Sequence, residues 1–159
     1  MSTALDSNVL LDLAGDTEYA EATENVLEIA LAAGPLIICP VALSELVVHF
    51  RIQEALQQFL EELAVEPEQF SRQALWRAGE AWAAHSRRRR GGLECPKCGH
   101  GLHVACSSCG ATMTPRQHLV TDFLIGAHAL TQADALITRD QGYYRTYFPG
   151  LKLMVPGRR

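Results

Sequence analysis

Eight side chains in this sequence have types and spacings that carry chemistry, and they fall into two sets. The first is Cys95-x2-Cys98-x7-Cys106-x2-Cys109. Two-residue spacing lets both thiolates of a pair reach one tetrahedral metal. The glycine after each pair, Gly99 and Gly110, permits the tight turn that aims backbone amides at the sulfurs. Four thiolates around Zn²⁺ make a closed structural site with no position left for substrate water. Iron can occupy the same thiolates, and two disulfides would demand an oxidising compartment. His100 and His103 lie between the pairs as further donors. The gap between the pairs is shorter than the roughly 15–20 residues of a common zinc ribbon, which predicts two knuckles on a stub hairpin. The fifth cysteine, Cys39, ends the apolar run Leu36-Ile37-Ile38 and reads as a buried core thiol.

The second set is acidic: Asp6, Glu45, Asp122 and Asp140. Asp6 closes a short apolar segment of strand character, and Asp140 lies just beyond another. Glu45 follows a third such segment, near the start of a helix, and Asp122 opens a helix. In open parallel sheets, ligands bind at the carboxyl ends of the strands, so these acids fit one sheet edge. Singly, each has a plainer reading. Asp6 and Asp140 suit helix caps, Asp122 suits a helix dipole, and Glu45 suits an exposed helix face. Together they require a counter-charge to stay ionised. A hard divalent cation, Mg²⁺ or Mn²⁺, supplies it. Such an ion also lowers the pKa of water and stabilises charge on a phosphodiester under in-line attack.

The elements that must position these groups alternate along the chain. Strands are expected over 3–6, 36–39, 135–138 and 151–155. A helix over 18–33, capped by Asp16 or Thr17, is stopped by Gly34-Pro35. Another begins near Pro40 and carries Ser44, Glu45, Val48 and His49; further helices cover 53–63 and 70–86, and one follows Leu119. This alternation predicts an α/β architecture with a parallel sheet, interrupted by a Gly- and Cys-rich insert over 91–115. At 159 residues, 48% apolar and 20% charged, the chain makes one globular domain. It has no apolar run of about 18 residues and no basic leader, which points to a cytoplasmic protein with no membrane partner. Trp76 and Trp82 read as core or interface, and Tyr143 and Tyr144 as packing around the last strand.

The net charge of -4 hides an asymmetry: residues 1–70 hold thirteen acids and one base, residues 71–159 five acids and thirteen bases. The densest basic run is Arg87, Arg88, Arg89 and Arg90. It reads either as a solvated helix end or as a local face for nucleic acid. Residues 87–118 hold six bases and one acid. Arg139, adjacent to Asp140, is the best placed of the other arginines for a phosphate.

Four segments, in order, resemble the motifs of PIN-domain nucleases: Leu5-Asp6-Ser7-Asn8-Val9-Leu10-Leu11, Pro40-Val41-Ala42-Leu43-Ser44-Glu45-Leu46, Thr121-Asp122-Phe123-Leu124-Ile125-Gly126-Ala127-His128-Ala129 and Ala133-Asp134-Ala135-Leu136-Ile137-Thr138-Arg139-Asp140-Gln141-Gly142-Tyr143-Tyr144. The match covers nearly the whole chain outside 91–117 and is most similar to the VapC-type toxins. The resemblance implies a three-layer α/β fold, with a central, mostly parallel sheet flanked by helices. A single domain over 1–159 is expected, with the zinc knuckle read from the cysteine spacing as an insert at 91–115. The resemblance further implies a Mg²⁺- or Mn²⁺-dependent endoribonuclease leaving 5′-phosphate and 3′-hydroxyl ends, often dimeric and often held by an antitoxin protein. Asp6, Glu45, Asp122 and Asp140 would be its metal-binding and catalytic acids, with Asn8 and Thr138 in support. Common toxins of this type lack the Cys-rich insert. Two other readings of the chain are a non-catalytic RNA- or protein-binding module working through the insert, and a structure-specific DNA nuclease.

Overall fold

A computed structural model of the chain describes residues 1–88, 93–94, 101–102, 104–113 and 120–157. In chain order the elements are β1 (Thr3–Leu5), α1 (Ser7–Ala14), α2 (Ala20–Ala33), β2 (Leu36–Ile38), α3 (Pro40–Leu46) with a 3₁₀ turn (Val47–His49), α4 (Gln53–Glu62), β3 (Val65–Pro67) and α5 (Arg72–Arg88). Four short strands follow: β4 (Leu93–Glu94), β5 (Gly101–Leu102), β6 (Val104–Ala105) and β7 (Thr112–Met113). Then come α6 (Val120–Gln132), β8 (Ala135–Ile137), α7 (Gly142–Tyr147) and β9 (Leu153–Met154).

Five strands form one sheet in the order β3-β2-β1-β8-β9, and every pairing in it is parallel. The three central strands are short apolar runs buried along their whole length, as expected for parallel strands covered on both faces. Leu5, Ile38, Leu136 and Ile137 belong to one core cluster with Val9, Leu10, Leu46, Phe123 and Ile125 of the helices. Cys39 belongs to the same core.

The strand order locates the site. From β1 the chain moves one way, to β2 and then β3; on its return it takes up the other side, β8 and then β9. Parallel crossovers share one hand, so the connections leaving β1 and β8 diverge. A crevice opens between the carboxyl ends of these two neighbours, the point where open α/β sheets bind ligands.

Several expectations shift. Tyr19, rather than Asp16 or Thr17, occupies the cap position of α2 and makes no side-chain cap bond. Thr17 instead donates to Asp12 Oδ1 at 2.9 Å. The helix expected through His49 tightens to a 3₁₀ turn after Leu46. The strand β3 was not anticipated, because Pro67 argues against one; it pairs only with β2, at the sheet edge, where proline is tolerated. Trp76 and Trp82 are exposed on α5 and are not core residues. Among the described residues, no helix is long and apolar enough to cross a membrane.

Candidate active site

Asp6 follows β1 directly, and its backbone N–H donates to Ile137 O of β8 at 3.1 Å. It holds the N-cap position of α1, yet its side chain makes no cap bond. The carboxylate turns instead toward the crevice, where it is 4% exposed. Its Oδ2 accepts from Thr138 Oγ1 (2.7 Å), Asn8 Nδ2 (2.8 Å) and the Tyr144 hydroxyl (3.1 Å). Asn8 Nδ2 also donates to Thr138 Oγ1 at 3.2 Å, and Asn8 Oδ1 accepts the Arg139 backbone N–H at 3.2 Å. The two supporting residues expected from sequence therefore join the carboxyl ends of β1 and β8 through one polar network. Burial raises the Asp6 pKa, the donors from Thr138, Tyr144 and Asn8 oppose that rise, and the Glu45 charge adds to it.

Glu45 sits on α3, half-buried, and accepts the Ser7 hydroxyl. Asp122 lies in the first turn of α6. Burial pushes its carboxyl up to about 6, with further pressure from Asp6, Asp140 and Glu45. That repulsion from all three partners shows that the four acids share one neighbourhood. Asp140, after β8, is exposed and partly keeps its plainer role: its Oδ1 accepts the Gly142 N–H at 3.0 Å at the start of α7. Among the described residues, no lysine or arginine pairs with any of the four. An apolar cleft between α3, α4 and β3, lined by Leu43, Leu56, Leu60 and Val65, shares no residue with this cluster.

As placed, no three His, Cys, Asp or Glu side chains among the described residues stand close enough to enclose a metal ion. Uncompensated carboxylates repel one another, and Mg²⁺ keeps several waters while taking only one or two carboxylates directly. The Asp6 oxygens show the fit more sharply. Oδ2 is saturated by side-chain donors, whereas the side-chain partner of Oδ1 is Ser7 Oγ, at 3.4 Å, and the Asn8 backbone N–H also acts on the carboxylate. An all-oxygen donor set with a net negative charge and an open carboxylate oxygen fits a hard divalent cation.

Sequence reasoning missed the contacts of Ser7 and Tyr144 and named Arg139 only as a phosphate contact. Ser7 tethers Glu45; a serine one residue after Asp6 was visible, but its partner 38 positions away was not. Tyr144 reaches Asp6 from α7, while a pair of tyrosines ahead of the last strand suggests packing alone. Arg139, exposed at the rim, forms an ion pair with buried Asp12 at 2.8 Å, in contact but not aligned as a hydrogen bond. Its guanidinium also lies 4.6 Å from the Tyr19 ring centroid. His49 is exposed, and His128 is buried edge-on to Phe70.

Of the cysteine set, Cys95 and Cys98 lie outside the described residues, as do Arg89, Arg90, His100 and His103. The second pair is described. β6 and β7 form an antiparallel hairpin whose turn holds Cys106 and Cys109. The Cys106 N–H donates to Ala111 O and the Gly110 N–H to Cys106 O, both at 2.8 Å. Gly110 has φ +71, a left-handed turn that favours glycine. The Ser108 and Cys109 amides, then the Cys109 thiol, lower the pKa of the Cys106 thiol. β4 and β5, which flank the first cysteine pair in sequence, also pair antiparallel.

A family model described as PIN domain matches residues 3–149. No curated protein matches the chain. Among solved structures, VapBC2 from Rickettsia felis bound to a DNA fragment from their promoter is similar at a TM-score of 0.62 and 19% identity, covering 98% of each chain. A toxin-antitoxin complex from Klebsiella pneumoniae is similar at 0.57 and 19% identity, covering 99% of this chain and 100% of that one. VapBC-1 from nontypeable Haemophilus influenzae is similar at 0.58 and 16% identity, covering 98% of each.

Proposed function

The chain belongs to the PIN-domain family, and on that footing we propose that it is a divalent-metal-dependent endoribonuclease and the toxin of a toxin–antitoxin pair. One observation carries the proposal: four carboxylates gather at the point where the strand order reverses, and burial first, then the charges of Asp6, Asp140 and Glu45, push the Asp122 carboxyl up to about 6, with no basic partner among the described residues. Asp6, Glu45, Asp122 and Asp140 would hold the ion, Mg²⁺ or Mn²⁺. When bound, it supplies counter-charge to the carboxylates and to the phosphodiester.

The chain's own residues do the rest. Thr138 and Asn8 fix the Asp6 carboxylate. Ser7 fixes Glu45. The acids orient the attacking water in line with the departing 3′ oxygen, leaving a 5′-phosphate. RNA is the proposed substrate because VapC-type toxins, which the four motifs resemble, act on it. The antitoxin partner follows from the toxin–antitoxin complexes among the similar structures, and the homodimer from the same resemblance. The run Arg87 to Arg90, with Arg139 at the rim, would meet the substrate backbone. One domain over 1–159 would carry an insert at 91–115, closed by Cys95, Cys98, Cys106 and Cys109 around Zn²⁺. The preformed turn at Cys106 and Cys109, with its lowered thiol pKa, supports that site.

The test uses labelled single-stranded RNA and DNA with Mg²⁺, Mn²⁺ or neither, beside Asp122→Asn. Metal-dependent RNA cleavage that falls about a hundredfold or more in the variant is the expected result. Cleavage at an unchanged rate by folded Asp122→Asn overturns the acid site. Preferential cleavage of DNA overturns the substrate.

A further inference from the structure

The Asp6 carboxylate is unevenly partnered, and the unevenness depends on a residue outside the four acids and their expected supports. Three donors converge on Oδ2, from Asn8 on α1, Thr138 beyond β8 and Tyr144 on α7. Oδ1 has one side-chain partner, Ser7 Oγ at 3.4 Å, and that hydroxyl lies closer to Glu45. Tyr144 is 1% exposed, so its hydroxyl has no solvent alternative. A phenylalanine there would fill the same space and leave Oδ2 one donor short.

The ring is seated by an absence on α6. A Cβ built on Gly126 would lie 2.5 Å from Phe148 Cε2 and 3.0 Å from Tyr144 Cδ1. Both rings therefore rest against bare helix backbone. Gly126 is one helical turn after Asp122 and shares its face. One helix thus carries an acid of the cluster and the seat of the ring that orients another.

We propose that Tyr144 is a positioning residue of the acid cluster: its hydroxyl holds Asp6 with Oδ1 offered to the divalent ion, at a depth set by Gly126. The inference rests on the metal-dependent reading above. Outer partners that orient a ligand typically change metal affinity by about ten- to a hundredfold when removed.

The experiment is Mn²⁺ calorimetry on the full chain, wild type against Tyr144→Phe, followed by cleavage across a Mn²⁺ series. The variant is expected to keep its fold and bind Mn²⁺ about ten- to a hundredfold more weakly. Excess Mn²⁺ is expected to restore most of its cleavage rate. Unchanged affinity overturns the proposal, and so does a rate that excess Mn²⁺ does not restore, which would mark a merely structural role. Should Tyr144→Phe fail to fold, 3-fluorotyrosine placed at 144 in the otherwise native chain decides. Its ¹⁹F resonance is expected to move with Mg²⁺ and saturate with binding, and an unmoved resonance overturns the proposal. If the wild type binds no Mn²⁺ at all, the metal-dependent reading itself falls, an outcome distinct from failure of the variant alone.

Discussion

Asp122 shows what crowding does to one side chain. Its carboxyl, ordinarily at 3.8, is pushed up to about 6, first by burial and then by Asp6, Asp140 and Glu45. Below the ordinary value, folded and unfolded chains both hold the proton. Between the two values the unfolded chain has released it while the fold still keeps it, so ionisation opposes folding. Metal-free protein should therefore lose stability as pH rises from about 4 through about 6, then level off. The share traceable to Asp122 is on the order of 2 kcal/mol once solvent screening is allowed for. Urea unfolding at both ends of that range, compared with Asp122→Asn, measures it, and saturating Mg²⁺ should flatten the wild-type curve. The acids were legible in sequence because each sits in a short motif at a strand end or helix start. Ser7 and Tyr144 were not, because a hydroxyl reveals its role only through a partner that folding brings near, 38 residues away for Ser7 and 138 for Tyr144.

Among the elements, α6 bears the most constraint. Gly126→Ala would gain about 1 kcal/mol of helix propensity. Against that, the new methyl meets the buried rings of Phe148 and Tyr144, and overpacking of this kind costs about 1–3 kcal/mol. Both rings are buried, so a net loss of up to about 2 kcal/mol is expected, read as a melting temperature lower by about 4 °C. The end of α5 is tied to the same region: His85 Nδ1 lies 2.7 Å from the Tyr147 hydroxyl, and its ring packs on Phe123. Periodicity revealed these helices, and unbroken apolar runs revealed the central strands. The edge strand β3 stayed hidden because its polar and proline residues obey edge rules rather than core rules. The α2 cap was misplaced by two residues: Thr17 accepts the Tyr19 N–H at 3.2 Å while donating to Asp12, and the helix starts only after Tyr19.

For the whole molecule, the insert leaves the domain at α5 and returns at α6, two helices already joined by His85, Phe123 and Tyr147. The parallel sheet should therefore survive loss of the insert's metal. Purified protein is expected to carry about one zinc ion per chain. Cys106→Ser should release it with little change in the main thermal transition. Elemental analysis and a melting curve check both points, and a collapse of the sheet with the zinc would make the insert a folding requirement.

The pairing of β1 with β8 also imposes an order in time. Thr3 lies beside Ala135 in the sheet, so the first strand waits for a neighbour made about 130 residues later. At ribosomal speeds of about 5–20 residues per second, that wait is on the order of ten seconds. Asp6 is translated long before Thr138, Asp140 and Tyr144, so a growing chain has no assembled acid cluster until those three have left the ribosome.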